Sequence, residues 1–180
     1  MAVDIGSEAI DRPGSFSRLY TAILLDNPAS IAGLVTSVDI WAYTDVTGLR
    51  VGTFYTINES SFRCRDSEAI PGTITAGSKV TKIISVAVEI GDYIGAYWAD
   101  GEIERHTSGY AGIYYNSGEH IDPGDEATYT LLPGDTLSIG GYIEEVPVGW
   151  TGKISGVTNP AKIMGVDVAN IAKVKGVVSA

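Results

Sequence analysis

Residues 33–57 read GLVTSVDIWAYTDVTGLRVGTFYTI. Over 33–43, Leu34, Thr36, Val38 and Ile40 fall on one face and Val35, Ser37, Asp39 and Trp41 on the other. A period of two with β-branched residues throughout is the pattern of a strand. Thr47-Gly48 punctuates the run and 49–57 resumes it, so two strands joined by a turn are expected.

The same grammar extends in both directions. RLYTAILL (18–25) reads as an earlier strand. SFRCRD (61–66) follows an Asn58-Glu59-Ser60 turn, and KVTKIISVAVEI (79–90) is a longer strand. DYIGAYWA (92–99) meets Asp100-Gly101, a two-residue hairpin signal that makes EIERH (102–106) the return strand. GYAGIYY (109–115), EATYTLL (126–132) and TLSIGGYI (136–143) complete about ten short strands, the spacing of an antiparallel sandwich. Gly91-Asp92, Gly124-Asp125 and Gly134-Asp135 each precede a strand. Glycine supplies an unusual backbone angle and aspartate bonds back to the main chain. The expected fold is all-β: a jelly-roll-like sandwich over 1–149, with a barrel as the rival architecture.

Composition agrees. Of 180 residues, 22 are Gly and 7 are Pro, which suits tight turns and rules out a helical bundle or coiled coil. No apolar run approaches the roughly 20 residues of a spanning helix. Residues 1–149 hold eight basic and twenty-one acidic side chains, a net of −13, whereas 150–180 hold four Lys and one Asp, a net of +3. Phosphate recognition needs positive charge, so nucleic acid and anionic membranes are not expected partners. The N-terminus MAVDIGSEAIDR has no charged n-region or apolar h-region, so synthesis in the cytoplasm without a signal peptide is expected. Cys64 is the only cysteine; between Arg63 and Arg65 it reads as a buried structural thiol.

The chain changes character after EEVPVGWTG (144–152). KISGV (153–157), KIMGV (162–166) and KVKGV (173–177) share Lys, a β-branched residue, any residue, Gly and Val. A segment this short cannot build its own core. It is expected to anchor the protein or join it to sister copies through Ile154, Val157, Ile163, Val166, Val168, Ile171, Val174 and Val177. Each fully buried side chain contributes about 1.5–3 kcal/mol, while ordering costs about 1–2 kcal/mol per residue. The two nearly cancel, so strand pairing to an exposed sheet edge is needed for firm attachment. A solvated lysine tail is the other reading.

Catalytic signatures are missing from the pattern. His106 and His120 sit in separate turns without ligand spacing, and no nucleophile elbow or phosphate loop appears. Asp100, Glu102 and Glu104 form an acidic string, as do Asp122, Asp125 and Glu126. Calcium is a conceivable ligand for such oxygens, but a solvated acidic face explains them as well, and no metal or cofactor is expected. With no distinctive acid pair, a glycan-degrading enzyme is not expected either. Ten Tyr and three Trp are the one feature suited to binding. Trp41, Tyr97, Trp98 and Tyr114 are the candidate glycan-stacking aromatics; core packing and subunit contacts are the competing use.

The stretch from VDIWAYTDVTGLRVGTFYTI through GSKVTKIISVAVEIGDYIGAYWADGEIERHTSGYAGIYY resembles a group of β-sandwich proteins from phage and environmental sequences. The K-[I/V]-x-G-V tail resembles short repeats near the C-termini of phage tail and fibre proteins. The resemblance implies a non-enzymatic virion role: a capsid decoration, head-fibre or tail-appendage subunit, homo-oligomeric with a trimer favoured, bound to other virion proteins. It departs from the fibre pattern in having no long shaft. A carbohydrate- or receptor-binding module, or a self-assembling filament subunit, is the alternative.

Overall fold

The computed structural model describes residues 3–145 throughout and, beyond them, the backbone of four two-residue strands. In chain order the strands are β1 (Ile5–Gly6), β2 (Gly14–Ser17), β3 (Tyr20–Leu24), β4 (Gly33–Thr56), β5 (Ser61–Ile74), β6 (Lys79–Val88), β7 (Tyr93–Tyr97), β8 (Asp100–His106), β9 (Ile113–Ser117), β10 (Glu126–Thr128), β11 (Thr130–Leu132), β12 (Thr136–Leu137), β13 (Ile139–Glu144), β14 (Lys153–Ile154), β15 (Val157–Thr158), β16 (Lys162–Ile163) and β17 (Val166–Asp167). Every pairing is antiparallel and the described residues contain no helix, so the fold is all-β. The chain divides into two compact units, Met1–Glu145 and Val146–Ala180.

The first unit is organised by β4, a single strand of 24 residues. Near Gly33–Trp41 it pairs with β6 and β13; farther along it pairs with β5 and with β7 and β8. The stretch expected to be two strands is therefore one. Gly48, read as a turn, lies opposite a bulge: its φ is 63°, it alone faces Pro71 and Gly72 of β5 between Thr47 and Leu49, and pairing resumes at Leu49 opposite Ile70. β5 and β6 then retrace β4 from Thr56 back to Gly33. Asn58 makes the reversal, its Oδ1 accepting from the Ser60 and Ser61 N–H groups at 3.3 and 3.0 Å.

The Asp100-Gly101 hairpin is likewise corrected. β7 and β8 do not pair with each other but follow one another along β4, with Tyr97 opposite Arg50, Asp100 opposite Thr47 and Ile103 opposite Ala42. Gly101 has a φ of 86°, and a Cβ there would lie 2.1 Å from the Asp45 carbonyl oxygen. The left-handed glycine is used to step across a neighbouring strand, not to reverse the chain. Other boundaries moved less. β2 was not expected, 61–66 extends to Ile74, and 126–132 divides around Tyr129, which turns into a core. The run 136–143 divides at Ser138, where β12 pairs with β8 and β13 with β4.

The network is one sheet that does not close into a barrel. It bends about β4 so that its ladders share a core of Ile5, Val38, Ile40, Ile94, Trp98, Ile103 and Ile139, all fully buried. Gly6 of β1 and Gly141 of β13 make the approach possible: added Cβ atoms would lie 2.5 and 3.4 Å from Ile94 of β7. A second, smaller core holds Ile23, Phe54, Phe62, Cys64, Ile121 and Tyr129. Alternation along β3 divides the two, with Ala22 and Leu24 in the main core and Ile23 in the smaller one.

Among the described residues β6 pairs only with β4. Carboxylates close part of its other edge at a period of two: Glu68 accepts from the Ser85 N–H at 2.7 Å, Asp66 from Ala87 at 2.8 Å and Asp92 from Glu89 at 2.9 Å. Edge amides that would otherwise invite another strand are thereby satisfied.

The close approach of Gly101 to the β4 bulge at Asp45 and Val46 gives a sharp test. Gly101→Ala meets both a forbidden φ and a backbone oxygen, and is expected to lower unfolding stability by at least about 2 kcal/mol. Urea denaturation followed by tryptophan fluorescence reads it; a loss within error of zero contradicts the bulge.

Candidate functional site

The aromatic candidates do not form one surface. Trp98 is fully buried, with its ring 6.0 Å from Phe16 in an edge-to-face arrangement and its Nε1 donating to the Gly101 carbonyl at 3.3 Å. It is a core residue, and the expectation that it stacks on a glycan is corrected: its strand alternation faces it inward. Trp41 is half-buried on β4 opposite Lys79, near where β4 changes partners. Tyr97 and Tyr114 are half-buried and both pack on the smaller core; the Tyr114 ring lies 4.9 Å from Phe62 and its hydroxyl donates to the Glu59 carbonyl at 2.7 Å. Tyr97 and Tyr114 thus share a face, and Trp41 is placed elsewhere in the sheet.

The acidic string is dispersed among partners. Asp100 pairs with Arg18 at 3.0 Å, Glu102 accepts from Ser15 at 2.7 Å, and Glu104 is buried, accepting from the Arg12 N–H at 3.1 Å. Burial pushes the Glu104 carboxyl above its usual range. Asp122 and Glu119 both reach Arg50 at 2.6 Å, and Glu126 pairs with Arg63. Among the described residues no three His, Cys, Asp or Glu side chains come together as a cation site.

Two of the Gly-Asp pairs work as one device. Gly91 and Gly124 have φ values of 87° and 96°. Asp92 and Asp125 each donate their N–H to the carbonyl three residues earlier, at 3.1 and 2.9 Å, and accept that residue's N–H on the carboxylate, at 2.9 and 3.0 Å. Asp92 also takes Arg65, at 2.9 Å to its second oxygen. Gly134 has a φ of 84°, and Asp135 turns instead to Arg105, whose Nε donates at 2.6 Å.

Pattern reading missed two buried polar groups. Asp39 of β4 accepts from Thr81 of β6 at 2.5 Å and from Tyr142 of β13 at 2.9 Å, and pairs with Lys79 at 2.9 Å. Burial opposes its charge, but these three partners outweigh it and hold the carboxyl below its ordinary value. Arg12 is buried with neutral partners. Its Nε donates to Ser138 at 2.7 Å, one terminal nitrogen to the Tyr110 hydroxyl at 2.7 Å, the other to the Glu8 carbonyl at 3.0 Å. In the sequence Asp39 shares a strand face with Val35, Ser37 and Trp41, and Arg12 sits in a short segment before Pro13. Neither spacing carries a signal of burial.

Beside Arg12, Val3, Gly6, Ser7, Glu8, Asp26, Asn27 and Tyr110 line an open cleft of about 580 Å³. In the second unit, Lys153-Ile154 pairs with Val157-Thr158, and Lys162-Ile163 with Val166-Asp167. The first two K-[I/V]-x-G-V repeats are therefore strand pairs in the same register. Of the anchor residues, Ile154, Val157, Ile163 and Val166 lie on these strands; Val168, Ile171, Val174 and Val177 lie outside the described residues. No family model matches the chain, and no curated protein matches it.

The titrations yield two expectations. Burial raises the Cys64 thiol to about 12, with Asp125 adding to the effect. Ellman's reagent at pH 8 should leave the native protein unlabelled and react after unfolding in urea; rapid native labelling would contradict the burial. Asp39, depressed below 3.8, contributes stability present above that value and lost as pH falls through its folded pKa. Urea midpoints measured from pH 6 downward should therefore converge for wild type and Asp39→Ala as the medium becomes strongly acidic. A difference independent of pH would remove Asp39's charge from the account.

Proposed function

We propose that this chain is a non-enzymatic structural protein of a phage virion, a capsid decoration, head-fibre or tail-appendage subunit. Its first unit is a jelly-roll-like β-sandwich head, and its C-terminal unit attaches it to neighbouring copies and to other virion proteins. The observation that carries the reading is the repeated strand pair in the second unit. Each pair joins two residues to two residues, far below what an isolated hairpin needs in water. Recurrence of the same short element with a lysine at its start fits a segment that gains its order from a surface it covers. The head supports the reading in another way. Residues Met1–Glu145 form a compact unit, and among the described residues they carry two hydrophobic cores.

The charge division agrees with attachment between copies. A head of net −13 and an extension of net +3 attract each other across a contact. The stated apolar positions then add burial, and strand pairing adds direction.

Removal of residues 151–180 is expected to leave a cooperatively folding monomer. The full chain should form a discrete homo-oligomer by light scattering and enter particles when co-expressed with the virion proteins encoded beside it. A truncated protein that retains the same oligomer and is still incorporated contradicts the proposal.

A further inference from the structure

We propose that the cleft bounded by Ser7, Glu8, Asp26, Asn27 and Tyr110 binds a neutral saccharide unit. The site is distinct from the aromatic positions weighed above and independent of the assembly reading. Its volume, about 580 Å³, falls in the range of small-molecule sites, ~300–1,000 Å³.

The lining is held in place from behind. Asp26 accepts from Ser7 at 3.2 Å and from the Ala111 N–H at 2.8 Å, while Ser7 meets Thr136 at 2.6 Å. Asn27 donates its side-chain N–H to the Val3 carbonyl at 2.8 Å, and its backbone carbonyl accepts from Gly6 at 3.1 Å. The Tyr110 hydroxyl accepts from buried Arg12. Among the described residues, what remains on the lining is a set of valences with no partner: the Glu8 carboxylate, the Asn27 Oδ1, spare lone pairs on Asp26 and the Tyr110 O–H.

Those valences select the ligand's chemistry. An anion would face two carboxylates on a head of net −13. A cation would need several bare oxygens, yet both Asp26 oxygens already accept hydrogens, no acidic triad is present among the described residues, and the Arg12 guanidinium lies 4.8 Å from the Tyr110 ring centre. The apolar part of the lining is Val3, the Tyr110 ring and backbone carbons, interleaved with the polar groups, so a ligand needs both kinds of surface. A neutral molecule with several hydroxyls fits: each hydroxyl can donate to Glu8, Asp26 or Asn27 and accept from Tyr110.

Saturation-transfer NMR on the full chain, with D-glucose, D-galactose, L-rhamnose and N-acetyl-D-glucosamine as probes, tests the site. Transfer to at least one sugar is expected. Glu8→Ala removes an exposed carboxylate that has no hydrogen bond among the described residues, and should keep the wild-type thermal midpoint while raising Kd about tenfold, the loss of one charged hydrogen bond. Tyr110→Phe should weaken the same sugar, and Tyr114→Phe should leave it unchanged. The proposal is overturned by no transfer from any probe, or by transfer insensitive to Glu8→Ala and Tyr110→Phe. A thermal shift on calcium chloride alone that vanishes in Glu8→Ala would also overturn it, in favour of a cation site.

Discussion

The pairing of β4 with strands from far along the chain is the constraint on which the head rests. Ile40 faces Ile139 on one partner and Val80 on another, while Val51 faces Glu68 and Ala96. A strand paired on both sides cannot slip by one residue without turning Val38 and Val51 out of the core at the same time. The register is thus set jointly by segments spread over most of the head. Such non-local pairing is slow to form and, once formed, cooperative to lose.

A long strand with bulges also explains how one sheet encloses a core. The ladder shifts between Val35 and Ser37, between Thr47 and Leu49, and again opposite β8. Each bulge bends the strand, and glycine replaces side chains where the bent ladders approach. The edge left over at β6 is where an open sheet would recruit a neighbour. Asp66, Glu68 and Asp92 occupy alternate amides there, and Thr53 donates to the Ala87 carbonyl at 2.6 Å. Side chains act in place of a strand, so this stretch of the edge is stitched to the body, a form of protection against edge-to-edge association.

Strand existence was legible from residues 33–57 onward because alternation and turn residues are local signals. Partnership was not. Gly48 and Gly101 have the left-handed backbone that marks a turn, and both sit within a ladder, each facing a two-residue bulge on its partner strand. The difference is decided by β5, β8 and the carbonyl of Asp45, which lie far away in sequence. Trp98 failed as a surface candidate for a related reason: an aromatic run identifies a strand, but which members face inward depends on the ladder that covers them. Cys64 was read correctly because alternation put both flanking arginines on the other face. The cleft beside Tyr110 had no linear signature, since Ser7, Asp26 and Tyr110 meet only after β1 docks on β13.

The two units answer opposite physical demands. The head has satisfied nearly all its buried polar side chains, the Nε of Arg50 being the exception among the described residues, and therefore gains little by rearranging. Its net charge of −13 makes heads repel one another at long range. The K-[I/V]-x-G-V strand pairs are the reverse: each joins only two residues to two, and each begins on a lysine, Lys153 opposite Thr158 and Lys162 opposite Asp167. If stability were the only demand, the extension would be a net entropic cost to the chain. On the proposed attachment role, a surface returns that cost, so the order of the extension should depend on neighbours while that of the head should not.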